Sequence, residues 1–183
     1  MLVLVPSTLL AGLLAAAPLS PTASADTKQG PPSYAFLRSL GPLVHARGLS
    51  RGDAAGGAAL GQLDTADYEA PFAGALASAG LALTPAAQAR GQAYPELFCL
   101  WDQHLDTVRD DDVSTHCTLY VYLLPARPAA APRGEPGWEL SVTRMVDDGS
   151  SSTAQVRDGF VARAAQALAA DLKAARSLSA TGH

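Results

Sequence analysis

Three segments of alternating apolar and polar residues constrain the fold of this chain more than any other feature of its sequence. In each segment every second residue is apolar, apart from Gln103 in the first and Arg144 in the third, and the intervening positions hold most of the other polar side chains. Strand side chains point alternately to the two faces of a sheet, so this period predicts three strands that share one apolar face. The apolar series are Leu97, Cys99, Trp101 and Leu105, then Cys117, Leu119, Val121 and Leu123, then Trp138, Leu140, Val142 and Val146.

A helix is predicted before these strands. Its apolar residues recur at the spacing of one helix face. They are Tyr68, Phe72, Leu76 and Ala79. Pro71 is compatible with the first turn of this helix, and Gly80 supplies a C-terminal stop. The segment from Leu81 to Thr84 is a possible short fourth strand.

A second, longer helix is predicted at the end of the chain. Ser152 and Gln155 have the spacing of a capping box. Apolar residues then recur every fourth position at Val156, Phe160, Ala164, Leu168 and Leu172. The sequence therefore predicts an α+β fold, a two-layer sandwich in which a small antiparallel sheet of three to four strands packs against an N-terminal and a C-terminal helix.

The composition limits the classes of partner that the chain can bind. The 183 residues carry a formal net charge of −4, and 16% of them are charged. A protein that neutralises nucleic-acid phosphates needs a basic face, so no nucleic-acid partner is predicted. We find no nucleophile, phosphate-binding or dinucleotide-binding motif, and no cofactor is predicted.

The N-terminal segment has the features of an export signal. Met1 to Ala17 is apolar, and Ala23-Ser24-Ala25 has the small-x-small pattern that precedes signal-peptide cleavage. We expect cleavage after Ala25, export to the periplasm or the extracellular space, and no stable transmembrane span afterwards. The alternative is a leader that is kept as a membrane anchor.

The chain is predicted to divide into four parts. Residues 1–25 form the signal peptide, and residues 26–66 form a flexible, partly helical N-terminal segment. This segment includes a Gly-rich and Ala-rich stretch from Gly48 to Gly61, which we interpret as a loop. Residues 67–178 form the compact α+β domain, and residues 179–183 form a tail.

The only two cysteines predict a disulfide, because an even cysteine count in an exported chain is typical of paired thiols. A cross-strand disulfide requires Cys99 to lie opposite Cys117 in the hairpin that the first two strands form. The competing register places His104 opposite His116, so that Cys99 and Cys117 do not lie opposite each other. The sequence leaves both registers open.

The histidine register would collect polar side chains on one exposed face. His104 and His116, with Asp102 or Asp106, are weak candidates for a metal site or an acid–base pair. No metal site or catalytic residue is assigned more firmly than this.

The polar face of the same hairpin carries several large apolar and aromatic side chains. These are Phe98, Leu100, Tyr120 and Tyr122, and they form the predicted partner surface. The leading hypothesis is a non-enzymatic envelope accessory protein that binds a protein partner through its sheet face or edge. The alternative is a metal-dependent or hydrolytic enzyme centred on His104 and His116.

Overall fold

The computed structural model describes residues 25–54, 57–64, 67–85, 94–109, 112–126, 134–147 and 152–180. Most of the predicted leader, the turn residues 110–111 and the last three residues lie outside these ranges. The elements are β1 (Asp26–Gln29), α1 (Tyr34–Ser39), β2 (Leu43–Ala54), β3 (Gly57–Gln62), α2 (Glu69–Ala77), β4 (Ala82–Pro85), β5 (Glu96–Arg109), β6 (Asp112–Leu124), β7 (Trp138–Asp147) and α3 (Thr153–Ala180).

The sheet is larger than the sequence predicts and differs in type. It has seven strands in the order β1-β7-β6-β5-β2-β3, with β4 pairing with β2 as well. The pairs β1–β7, β7–β6, β6–β5 and β2–β3 are antiparallel, whereas β2 runs parallel to both β4 and β5. The prediction of a small antiparallel sheet of three to four strands is therefore wrong, although the α+β class is confirmed.

The error comes mainly from the Gly-rich stretch that was interpreted as a loop. All residues of this stretch that the structure describes belong to β2 or β3. The helix-facing positions of β2 include Val44, Ala46 and Gly48, of which only the valine is a typical strand residue. Gly48 is small for a steric reason, because a Cβ atom there would lie 2.6 Å from Cε1 of the buried Tyr68.

The helices pack on one face of the sheet and bury its apolar side. Helix α2 confirms the first predicted helix, since Phe72 and Leu76 are fully buried and Gly80 beyond its end adopts a φ of 68°. The strand residues of the alternating series enter the same core, together with residues of α2 and α3, except Leu105, which is 53% exposed. No helix in the described ranges is both long and apolar enough to cross a membrane.

The capping box at the start of α3 is confirmed by two reciprocal hydrogen bonds. The Gln155 N–H donates to Ser152 Oγ at 3.2 Å, and the Ser152 N–H donates to Gln155 Oε1 at 3.2 Å. These bonds satisfy two backbone donors that a helix start leaves without intrahelical partners. The sequence pattern therefore locates the beginning of α3 to within one residue.

Helix α3 also anchors the edge strand β1. Asp171 Oδ2 accepts hydrogen bonds from Trp138 Nε1 at 2.7 Å and from Gln29 Nε2 at 2.5 Å. Arg163 Nη1 donates to Thr27 Oγ1 at 3.1 Å and to the Ala25 carbonyl at 3.2 Å. These contacts join β1 and β7 to the helix layer.

We predict that Gly48→Ala destabilises the fold, because the added methyl group overlaps the Tyr68 ring and lies 3.0 Å from Leu63 Cβ. Overpacking of this kind costs about 1–3 kcal/mol of unfolding free energy. The matched control is Gly159→Ala in α3, where an added Cβ has no atom within 4 Å. Helix propensity should make that variant more stable than the wild type, by up to about 1 kcal/mol. Urea unfolding of both variants measures the difference, and equal midpoints would contradict the steric argument.

Candidate binding face

The side of the sheet directed away from the helices, here called the outer face, is organised in rows of neighbouring side chains. Each row follows the cross-strand register. The rows are Arg47, Phe98, Tyr122 and Glu139; then Leu49, Leu100, Tyr120, Ser141 and Lys28; then Arg51, Asp102, Thr118, Thr143 and Asp26; then His104, His116 and Met145. Side chains directly opposite on one face have Cβ atoms about 4.5–5.5 Å apart, so members of a row interact.

An aromatic cluster occupies the first row. The rings of Phe98 and Tyr122 stack with centroids 6.3 Å apart and an interplanar angle of 18°. The Arg47 guanidinium carbon lies 4.7 Å from the centroid of the Phe98 ring, and Arg47 Nε donates to Glu96 Oε1 at 2.6 Å. This cover leaves Phe98 only 5% exposed, although it lies outside the core that the helices bury.

A groove of about 340 Å³ lies beside this cluster, next to the sheet edge formed by β1. Tyr120 and Tyr122 form its aromatic part, while Lys28, Glu139 and Ser141 contribute polar groups. Both tyrosines are half-buried. Burial raises the pKa of the Tyr122 hydroxyl, so this group stays protonated and can donate a hydrogen bond.

The third row is held together by polar contacts. Arg51 Nε donates to Asp102 Oδ1 at 2.9 Å, and its Nη2 donates to the other carboxylate oxygen. These hydrogen bonds hold the pKa of the Asp102 carboxyl below its usual range. The hydroxyls of Thr118 and Thr143 lie 3.1 Å apart and share a hydrogen bond.

The hairpin of β5 and β6 adopts the register that pairs the two histidines and not the one that pairs the two cysteines. His104 lies opposite His116, and their rings stack with centroids 5.1 Å apart and an interplanar angle of 18°. Asp102 lies on the same face but is paired with Arg51. Asp106 lies in β5 opposite Ser114, and its side chain is outside the described part of the chain. Within that part, no three His, Cys, Asp or Glu side chains are grouped as metal ligands.

The same register separates the two cysteines. Cys99 lies opposite Val121, and Cys117 lies opposite Gln103. Both are free thiols, each 0% exposed on the helix-covered side of the sheet. Burial raises the pKa of each thiol, which keeps the sulfur in its unreactive protonated form.

The structure brings together the four residues of the predicted partner surface. Phe98, Leu100, Tyr120 and Tyr122 occupy adjacent positions on β5 and β6. Sequence reasoning missed Arg47, Lys28 and Met145, which the neighbouring strands bring onto the same face. Met145 follows the same alternation as the polar residues of β7, but its neighbours depend on the strand pairing. The other two lie in segments that were not predicted as strands.

No protein-family model matches the sequence, and no curated protein is significantly similar to it. Among solved structures, the chain is similar to a variant of the PelC dodecamer from Paraburkholderia phytofirmans, with 14% identity and a TM-score of 0.35. The match covers 79% of this chain and 96% of that one. At these values the likeness implies neither a shared fold nor a shared function.

We predict that His45, at the Glu96 end of the outer face, makes the fold sensitive to acid. Burial lowers its pKa from the ordinary 6.5; the Glu96 carboxylate partly offsets this effect, and the nearby Arg47 adds a smaller lowering. The unfolded chain therefore binds the proton more readily than the folded chain. The stabilisation is complete above the unfolded pKa and is lost as pH falls from about 6.5 towards the lower folded value.

Chemical unfolding at about pH 7.5 and about pH 5.5 tests this prediction. Wild type should lose more unfolding free energy between the two pH values than His45→Gln, which has no imidazole to protonate there. Equal losses in the two proteins would show that His45 does not contribute.

Proposed function

We propose that this chain is an exported, non-enzymatic binding protein of the cell envelope that holds a segment of another protein on its outer face. The observation that carries this proposal is the aromatic cluster with its adjoining groove. These lie on the face that, among the described residues, no helix covers. Aromatic side chains with polar groups beside them are typical of the well-packed centre of a protein interface.

The side chains of the groove favour an extended segment, with both apolar and charged residues, as the bound partner. Tyr120 and Tyr122 offer apolar ring surface for one apolar side chain, and each hydroxyl can hydrogen-bond the backbone of the segment. Lys28 and Glu139 provide one positive and one negative group at the groove. A segment with an apolar residue between an acidic and a basic residue would complement this arrangement.

The export part of the proposal rests on the leader. The Ala23-Ser24-Ala25 pattern places cleavage directly before Asp26, which is the first residue of β1. Removal of residues 1–25 would therefore leave every described strand and helix in place. The Arg163 bond to Ala25 would be lost, but its bond to Thr27 would remain.

The second candidate function is a metal-dependent or hydrolytic enzyme. The stacked rings of His104 and His116 favour it and would form its centre. Two adjacent imidazoles can share a proton or bind a metal ion. Asp102, the nearest described carboxylate on β5, is engaged with Arg51. The binding proposal has broader support, because it involves two complete rows of the outer face.

We predict that a photo-crosslinking amino acid at Ser141, in the groove, captures one defined envelope protein in living cells. The same crosslinker at Gln166, an exposed position on α3, is the matched control. The captured protein is identified by mass spectrometry, purified and titrated against the wild-type chain. Equal capture of this protein from both positions would contradict the assignment to the outer face.

The purified pair allows a direct test of the groove. Ser141→Arg should weaken binding by at least about tenfold, because the long side chain fills the groove. Gln166→Arg adds the same charge on the helix layer and should leave the affinity unchanged. Wild-type affinity for Ser141→Arg would overturn the proposal, whereas His104→Gln with His116→Gln should have no effect on this binding.

We also predict that the chain recovered from the envelope or medium of its producing cells begins at Asp26. N-terminal sequencing measures this directly. Ala25→Arg should block processing, because signal peptidase requires a small residue at that position. An unprocessed wild-type chain that remains with the membrane would contradict cleavage and favour the anchor alternative.

A further inference from the structure

The fourth row of the outer face combines two imidazoles with a thioether. His104 on β5 lies opposite His116 on β6, and His116 lies opposite Met145 on β7. The three residues therefore occupy consecutive positions across three strands, with neighbouring Cβ atoms about 4.5–5.5 Å apart. Apart from Met1, Met145 is the only methionine of the chain.

These side chains have the freedom to converge on one ion. His104 is exposed, His116 is partly buried, and Met145 is 44% exposed. The two imidazole rings are stacked with centroids 5.1 Å apart. Rotation of the two side chains, without a change of the backbone, would direct one nitrogen of each ring to a common point. Methionine has three rotatable bonds and adapts its sulfur position to its surroundings. At 44% exposure the Met145 side chain is accessible to an ion from solvent.

The donor set favours a soft metal ion. A thioether selects Cu(I) over Mg²⁺, Ca²⁺ or Mn²⁺, and imidazole is a good ligand for copper. A hard ion would prefer carboxylate oxygens, but both oxygens of Asp102 accept hydrogen bonds from Arg51. Because the Arg51–Asp102 pair has no net charge, it adds little repulsion against a monovalent cation nearby.

We propose that His104, His116 and Met145 form a three-coordinate Cu(I) site at the end of the outer face. This site is separate from the aromatic groove and does not depend on the proposed partner. It uses binding alone, with no redox step. The chemistry differs from the alternative enzyme, because the thioether of Met145 replaces the carboxylate of Asp102 as the third ligand.

The test is an anaerobic titration of the full chain with Cu(I), with ascorbate as reductant and a chromogenic Cu(I) chelator as competitor. The wild type should bind one equivalent. The double variant His104→Gln, His116→Gln should lose this binding, and Met145→Leu should weaken it by at least about tenfold. Leucine has nearly the volume of methionine, so this variant removes the sulfur and keeps the apolar surface.

Two control variants separate this site from other copper ligands in the chain. His45→Gln removes a histidine at the opposite end of the outer face and should leave Cu(I) affinity unchanged. Cys99→Ala with Cys117→Ala should also leave it unchanged, because both thiols are buried on the other side of the sheet. Loss of Cu(I) binding in the cysteine variant would overturn the proposal.

The preference of the site for Cu(I) over Zn²⁺ gives a second test. Replacing Met145 should not change this preference if its role is only structural. Met145→Leu should leave Zn²⁺ affinity unchanged, because zinc is bound in proteins by thiolate, imidazole and carboxylate groups, and the methionine thioether is not among them. The copper X-ray absorption spectrum of the wild type should show a sulfur neighbour that is absent from Met145→Leu. Equal Cu(I) affinities of wild type and Met145→Leu, or a spectrum without sulfur, would overturn the assignment of Met145.

Discussion

The parallel pairing of β2 with β5 joins the two halves of the sheet, and the rest of the structure depends on it. Strand β2 carries β3 and β4 on its other side, whereas β5 carries β6, β7 and β1. Parallel neighbours require a crossover connection, and here the chain returns through α2, which packs beside α3. Gly48 lies opposite Cys99 in this pairing, and its lack of a side chain gives the Tyr68 ring room above the sheet.

The same pairing assembles the outer face from both halves of the chain. It places Arg47 beside Phe98 and Arg51 beside Asp102. A cation from β2 thus covers an aromatic ring of β5, and a second cation compensates a carboxylate that is 6% exposed. The aromatic cluster has a polar edge and little exposed apolar area, which would keep the proposed binding face soluble in the absence of a partner.

The register of the β5–β6 hairpin then decides which chemistry is available. One alignment would have faced Cys99 with Cys117, whereas the observed alignment faces His104 with His116. Thiol chemistry is thereby confined to two buried cysteines, while two imidazoles become neighbours on the outer face. The β6–β7 pairing adds the Met145 thioether to the same row. A register that faced Cys99 with Cys117 would have separated His104 from His116 and placed the two sulfurs opposite each other instead.

The sequence by itself determined the local elements with strong periodicity. The alternation in β5, β6 and β7 and the capping box of Ser152 and Gln155 depend only on neighbours along the chain. The Gly-rich β2 and β3 were not predictable, because Gly48 is small to accommodate Tyr68, a contact between distant segments. Only the tertiary structure decided the parallel pairing, the hairpin register and the meeting of Arg47 with Phe98. Each is a choice among alignments that local propensity leaves nearly equal in energy, and packing against the helix layer distinguishes between them.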